Sequence, residues 1–499
     1  MYKGKIRFPI ITAFWFFVNT TWKGWNSLLR KTKIICTLGP AVDSEDKLRL
    51  LIENGMDCAR FNFSHGTHEE QKTRMDRLRK VCREIGTQIP ILLDTKGPEV
   101  RLLTFENGSA EIASGDLFTF FGDNRTGTKE GVGLSFPGFA RHVRPGMTIL
   151  ADDGHLSFTV ERIEGEDTVC RVVTGGTVRD RKSINLPGYD IPMPFIGEKD
   201  REDLLFGIRE DVDFVAASFV RSGDDVRALR SFLNENGGEN IKIISKIESL
   251  SGIANLEEIL SLSDGIMVAR GDLGVETDFQ KLPDLQKKII LLCLRAGKHC
   301  VIATQMLDSM THAPRPTRAE VSDVANAIYD GTTAIMLSGE TAAGEYPVEA
   351  VRAMAEIASY TESTIDTRAF NDRVDFSFLH DIPSTIARSA CDAAQHLDLK
   401  AIVAVTRSGN TAERIACFRP ACPILALTVS EKACRQLRLS WGVQPLKADE
   451  KTDFRTLYAH TLSLVRSTGI VGKGDRIAIV SGSSFEEKYS CMLTLHLMD

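Results

Sequence analysis

Eight short apolar runs separated by helix-like stretches constrain this chain more than any other feature of its sequence. They are Ile34–Thr37, Cys58–Phe63, Ile91–Asp94, Phe214–Ser218, Ile241–Ile247, Gly265–Ala269, His299–Thr304 and Ala334–Leu337. Such runs, alternating with helical periodicity, read as βα units of a parallel sheet. The helices between them are marked at their ends. Thr67-His-Glu-Glu70 is a capping box, Met75, Leu78, Cys82 and Ile85 share one face of the helix it opens, and Gly86 stops it. Ser44 opens the preceding helix, which turns Leu48, Leu51 and Ile52 inward and ends at Gly55. Eight βα units in succession predict an α/β fold of the (β/α)8 TIM-barrel kind, with its active site at the carboxyl ends of the strands.

One crossover breaks the pattern. Residues 95–213 carry alternating runs such as Leu117-Phe-Thr-Phe-Phe121 and Leu156-Ser-Phe-Thr-Val160, separated by Gly-rich turns. That texture predicts an inserted β-barrel domain at 98–187, hinged at Pro98 and Pro187-Gly188 and hanging over the site as a lid. The TIM barrel then occupies 31–97 and 188–362. Residues 363–499 read as a C-terminal α/β domain with strands near Ala401–Val405, Pro423–Leu427 and Arg476–Val480. Residues 1–30 form an atypical leader without clear structure, in which Lys3, Lys5 and Arg7 precede an apolar run from Phe8 to Val18. The run is too short to span a bilayer and no small-x-small cleavage site follows, which leaves a membrane-surface anchor as the alternative reading.

Charge and cysteine usage narrow the function. A net charge of -6 lacks the basic face that nucleic acid requires, while a small anion responds only to local charge in a cleft. The eleven cysteines are scattered without a C-x-x-C pair, as in proteins of a reducing cytoplasm.

Polar residues gather where the runs end: Arg60, Asn62 and Ser64; Asp94 and Thr95; Lys246 and Glu248; Arg270 and Asp272; Thr304; Ser338 and Glu340. Residues two apart on a strand share a face, so Lys246 and Glu248 both point into the barrel mouth, where Asp272 joins them from the next strand. Two carboxylates completed by water and substrate oxygens form the usual protein share of a Mg²⁺ site. Gly271 leaves the backbone open, so its N–H and that of Asp272 can approach a substrate carboxylate. Asn62, Ser64, Asp94 and Thr95 offer oxygen ligands of low total charge, which suit K⁺ at least as well as Mg²⁺; spacing does not choose between them. The loop Pro314-Arg-Pro-Thr-Arg-Ala-Glu320 fits a salt-bridged contact and a substrate role equally well.

Ordered along residues 31–360, several stretches together resemble pyruvate kinases. They are Lys33-Ile-Ile-Cys-Thr-Leu-Gly-Pro40, Arg60-Phe-Asn-Phe-Ser-His65, Leu93-Asp-Thr-Lys-Gly-Pro-Glu99, Asn185-Leu-Pro-Gly188, Ile244–Glu248, Asp264–Gly274, Ala303-Thr-Gln-Met306, Arg315–Glu320 and Met336–Thr341. The resemblance implies transfer of a phosphoryl group from phosphoenolpyruvate to ADP, giving pyruvate and ATP, by a homotetramer that uses Mg²⁺ (or Mn²⁺) and K⁺. It makes Glu248 and Asp272 the Mg²⁺ ligands, and Asn62, Ser64, Asp94 and Thr95 the K⁺ ligands, with Glu99 accompanying K⁺ dependence. Lys246, Thr304 and Arg60 become the catalytic residues. Arg60, Lys246, Gly271, Asp272 and Thr304 contact substrate, and Asn62, Ser64, His65, Arg101 and Lys182 contact nucleotide. Protonation of the enolate is placed at Thr304, through water with Ser338 and Glu340. Thr406-Arg-Ser-Gly-Asn-Thr411 resembles the loop that binds a phosphorylated effector, while the ending Ser481-Gly-Ser-Ser-Phe-Glu-Glu487 departs from the family. Two rivals are a different barrel enzyme of phosphoenolpyruvate or pyruvate, which would lack the inserted domain and the Asn62/Ser64/Asp94/Thr95 cluster, and a catalytically silent metabolite-binding relative, which would have lost matched catalytic residues.

Overall fold

A computed structural model describes residues 30–374, 376, 381–450, 454–482 and 492–499. The leader apart from Arg30, and Ser483–Glu487 of the atypical ending, lie outside the described residues.

Eight parallel strands close into a barrel: Lys33–Thr37, Cys58–Asn62, Ile91–Asp94, Phe214–Ala217, Lys242–Ile247, Gly265–Ala269, His299–Ala303 and Ala334–Leu337, the first pairing with the eighth. Their pleat sorts the side chains. Cys58, Leu92, Ile244, Met267, Val301 and Ala334 fill the lumen, while Phe61, Phe63, Leu93, Ile243, Val268 and Ile302 pack outward against the helices. The expected caps form: Thr67 and Glu70 make the reciprocal capping box, Gly86 takes a left-handed φ of 68° after Ile85, and Ser44 accepts the Lys47 N–H.

Several strands stop short of the sequence reading. The seventh ends at Ala303 because Thr304 and Gln305 turn to φ of 68° and 53°, which a strand cannot hold. The fourth ends at Ala217, just before Phe219 at φ 55°. The second ends at Asn62, and the fifth begins at Lys242.

After the third strand the chain builds a seven-stranded sheet around Phe118, Phe120 and Phe158, whose rings pack edge-on or tilted. A bridge between Leu102 and Leu134 joins the sheet's two outer strands, so the inserted unit curls into a barrel. A five-stranded sheet forms the C-terminal part, with Ala401–Val405, Ile424–Thr428 and Arg476–Ser481 at its centre. Its edges were not foreseen: Val443–Lys447 runs parallel, and Met492–Leu497 of the atypical tail pairs antiparallel with Arg476–Ser481.

This C-terminal sheet is fastened to the barrel floor. Leu439 joins the lumen residues from below. Glu413 pairs with Lys242 at the start of the fifth strand, and Arg435 lies 2.8 Å from Asp213 at the start of the fourth. The floor is therefore sealed and the opposite mouth is left for ligands. Among the described residues no helix is long and apolar enough to cross a membrane.

Candidate active site

The pleat that turns Ile244 into the lumen also turns Lys246 and Glu248 inward, two and four residues further along. Lys246 Nζ stands 2.7 Å from Ser218 Oγ, 3.0 Å from Glu248 Oε1 and 3.2 Å from Asp94 Oδ1. Burial opposes its charge, but Asp94 and Glu248 outweigh burial and raise its pKa, so it stays an ammonium. Asp94 is shared. Burial would raise its pKa, yet Arg60, whose Nε lies 2.6 Å from Oδ2, and Lys246 hold it below the ordinary carboxylate value. Arg60 is braced in turn by the Thr37 hydroxyl, which accepts from Nη1 at 2.9 Å.

Glu248 is 1% exposed, and its Oε2 accepts the Phe219 N–H at 2.6 Å. Its Oε1 has Lys246 as charge partner but accepts no well-aligned hydrogen bond. Asp272 follows on the short helix Arg270–Glu276, and its pKa is pushed up to about 8 by burial first and the Glu248 charge second. A buried carboxylate and a half-buried one beside it that resist sharing negative charge call for a cation. No group of three or more His, Cys, Asp or Glu among the described residues is arranged to hold a metal. The protein thus offers a two-carboxylate site, which suits a hard divalent ion that takes its other oxygens from water and phosphate.

Asn62 and Asp94 are direct neighbours in the ladder between the second and third strands. Asn62 Oδ1 accepts the Ser64 N–H at 3.0 Å, and Thr95 Oγ accepts the Ser218 N–H at 3.1 Å. These oxygens retain lone pairs, and their set of amide, hydroxyls and one carboxylate matches a weakly charged cation. Half-buried Glu99 pairs with Arg101 Nε at 2.7 Å; burial raises its pKa against the pull of Arg101. Arg101 faces Ser183 across the lid ladder, which puts it beside Lys182, itself bonded to Asp152 at 2.7 Å. His65 lies below, and burial together with Arg101 and Arg60 lowers its pKa, favouring the neutral ring.

The Gly271 N–H, expected to face a substrate carboxylate, instead donates to Thr304 Oγ at 2.8 Å, because the turn after Ala303 swings that hydroxyl toward the helix start. A Cβ at Gly271 would meet nothing nearer than 3.6 Å, so no protein atom demands a glycine and the space above it is open to a ligand. Ser338 and Glu340 bond to each other's segment, the Ser338 N–H donating to Glu340 Oε2 at 2.7 Å, and burial raises the Glu340 pKa. Among the described residues no hydrogen bond joins either to Thr304. In the Pro314–Glu320 loop, Glu320 caps the helix begun by Thr317 and accepts from Ser309, while Arg315 and Arg318 stand exposed.

Sequence reasoning missed Ser218, which accepts from Lys246 and donates to the Thr95 carbonyl at 2.7 Å. It directly follows its strand's last residue, Ala217, with a polar side chain, as Glu248 follows Ile247. The Phe219 N–H carries no side-chain signature, since its orientation comes from a left-handed backbone. Three non-glycine residues at this mouth, Phe219, Thr304 and Gln305, hold positive φ, each costing on the order of 1–3 kcal/mol that the surroundings must offset.

The chain and its fold are similar to known proteins. Residues 29–351 match the family model for the pyruvate kinase barrel domain, and residues 384–493 match that for the pyruvate kinase alpha/beta domain. The pyruvate kinase of Clostridium acetobutylicum is 44% identical over 455 residues, covering 91% of this chain and 96% of that protein. That of Geobacillus stearothermophilus is 45% identical, over 91% of this chain and 78% of its own. A crystal structure of a pyruvate kinase from Cryptosporidium parvum superposes with a TM-score of 0.89 at 37% identity, covering 95% of this chain and 97% of that one.

Proposed function

The chain belongs to the pyruvate kinase family, and on that premise we propose how its own residues transfer a phosphoryl group from phosphoenolpyruvate to ADP. The observation that carries the reading is Lys246, a buried ammonium between Asp94 and Glu248 with the Glu248–Asp272 pair beside it.

Arg60 and Lys246 bind the phosphoenolpyruvate phosphate, and the open cradle at Gly271 and Asp272 takes its carboxylate end. Thr304 bounds the far side of the substrate. Asn62, Ser64, His65, Arg101 and Lys182 hold the nucleotide between the barrel mouth and the lid. Glu248 and Asp272 would hold Mg²⁺ (or Mn²⁺), and Asn62, Ser64, Asp94 and Thr95 would hold K⁺; once bound, these ions would supply positive charge to offset that of the phosphoryl group. The protein's share is positioning and electrostatics, as in phosphoryl transfer generally. Lys246 sits where charge builds on the phosphoryl group in flight and on the enolate oxygen left behind. Thr304 Oγ donates to the Ala303 carbonyl at 2.6 Å and accepts from Gly271, which leaves a lone pair to orient the water that protonates the enolate carbon. Ser338 and Glu340 complete that path through solvent.

The test is a coupled assay of pyruvate formation from phosphoenolpyruvate and ADP, with Mg²⁺, in the presence and absence of K⁺. Turnover that needs both ions supports the reading. No turnover at saturating Mg²⁺ and K⁺ sinks it in favour of a silent metabolite binder.

The same reading assigns residues 31–97 and 188–362 to catalysis, 98–187 to the lid and 363–499 to regulation. It makes the enzyme a homotetramer of the cytoplasm. Free cysteines throughout the described residues, and Phe279, 84% exposed on the turn after the helix Arg270–Glu276, favour those two assignments. Thr406–Thr411 would take a phosphorylated effector, which a panel of sugar phosphates and nucleotides would identify by activation.

A further inference from the structure

We infer that Arg270 is a positioning residue for the protonation half of the reaction, acting through Thr304. The inference rests on the role given above to the Thr304 hydroxyl.

Two successive non-glycine residues, Thr304 and Gln305, hold left-handed backbone immediately after the seventh strand. Nothing in the side chains of threonine and glutamine favours that conformation, so an outside contact must fix it. One buried guanidinium provides it. Arg270 Nη2 donates to the Thr304 carbonyl at 2.8 Å and to the Gln305 carbonyl at 2.8 Å, and Nε donates to the Thr304 carbonyl at 3.2 Å. Nη2 also touches Met306 Sδ at 2.9 Å. The far side of the guanidinium is anchored, since Nη1 lies 2.6 Å from Asp323 Oδ2 on the helix Arg318–Tyr329.

These contacts lock the backbone of Thr304 to the residue that precedes Gly271. The neighbouring peptide completes the clamp through the Gly271 N–H, which donates to Thr304 Oγ. The hydroxyl is thereby fixed relative to Gly271 and Asp272, where the substrate lies. A lysine could not replace this arginine, because one ammonium cannot span two carbonyls and a carboxylate with the planar fork of a guanidinium. The Arg270 guanidinium is taken up by these three partners, so it bears on the chemistry only through the groups it holds.

The step concerned is simple. The enolate's electron pair forms a C–H bond at the methylene carbon, the proton leaves a water bonded to Thr304 Oγ, and solvent reprotonates the hydroxide. A displacement of the orienting oxygen by an ångström is enough to slow such a step about a hundredfold.

The experiment compares the full-length wild type, Arg270→Lys, Thr304→Ala and the double variant. Two rates are read: exchange of pyruvate methyl protons into D2O with Mg²⁺, K⁺ and ATP present, and kcat with KM for phosphoenolpyruvate and ADP. Arg270→Lys is expected to slow exchange about tenfold or more while both KM values stay within about twofold. Thr304→Ala slows it as well, and the double variant is no slower than the worse single variant, since both changes break one unit. Multiplied losses in the double variant, or wild-type exchange in Arg270→Lys, overturn the inference alone. Wild-type exchange in Thr304→Ala removes the role of Thr304 and the inference with it. If Arg270→Lys fails to fold, Asp323→Asn at the exposed end of the pair replaces it. There a drop in exchange of about threefold with unchanged melting is expected, and unchanged exchange overturns the inference.

Discussion

Replacing Lys246 with methionine isolates the charge at the centre of the site while keeping most of its volume. Lys246 Nζ has two carboxylates within 3.2 Å, and at an effective dielectric near 20 each such pair attracts by about 5 kcal/mol before desolvation is subtracted. Removing one member of a buried pair costs about 3–5 kcal/mol. The lower end applies here, because Asp94 keeps Arg60 at 2.6 Å and Glu248 keeps the Phe219 N–H. The fold should therefore survive, melting earlier but cooperatively. In the proposed mechanism the ammonium faces the phosphoryl group in flight, so the transition state loses about 4 kcal/mol and kcat falls about a thousandfold. A second consequence has the opposite sign: without the lysine, Glu248 and Asp272 carry more uncompensated negative charge, so the metal alone binds more tightly. A coupled assay gives kcat and KM, circular dichroism gives the fold, and calorimetric titration gives Mg²⁺ affinity. Turnover within about tenfold of wild type refutes the role of Lys246. Equal kcat with a thousandfold higher KM for phosphoenolpyruvate assigns it to ground-state binding instead.

Glu99→Lys puts a fixed positive charge near the monovalent site and should abolish the K⁺ requirement; unchanged K⁺ activation refutes the assignment of that cluster. Asp272 must lose a proton to bind metal, and in the metal-free protein its pKa is about 8, so Mg²⁺ affinity should rise about tenfold per pH unit up to pH 8 and level off above it. The folded state also keeps that proton after the unfolded chain has lost it, so this group makes the metal-free fold less stable as pH rises from the ordinary carboxylate range to about 8. Calorimetric Mg²⁺ titration and thermal melting across pH 6 to 9 test both, and affinity independent of pH would count against the carboxylate pair. Leu439→Ala opens a cavity where the C-terminal domain seals the barrel floor, and should cost about 2–5 kcal/mol in denaturant unfolding without changing KM.

Periodicity alone located all eight barrel strands, because each is buried on both faces and reads as an apolar run that ends in a polar residue or is followed directly by one. The same rule put Lys246 with Glu248, and Arg60 with Asn62, on the lumen face; those assignments need only the two-residue repeat of a strand. Helix caps at Ser44, Thr67 and Gly86 were equally legible, since their hydrogen bonds span three or four residues. Contacts between distant segments were not legible. Ser218 meets Lys246 because the fourth and fifth strands run in register, and Asp94 joins them from across the sheet. The edge strand Met492–Leu497 exists because Arg476–Ser481 lies beside it, and its own alternation is weak with Leu495 and Leu497 half exposed. Backbone conformation was the other hidden term. The left-handed turn at Thr304 and Gln305 moves a hydroxyl onto the Gly271 N–H, and the guanidinium of Arg270, 34 residues before Thr304 in sequence, holds that turn. Sequence determined which residues face the mouth; tertiary structure decided which of them touch, because contact depends on strand register and on strain held from outside the segment that bears it.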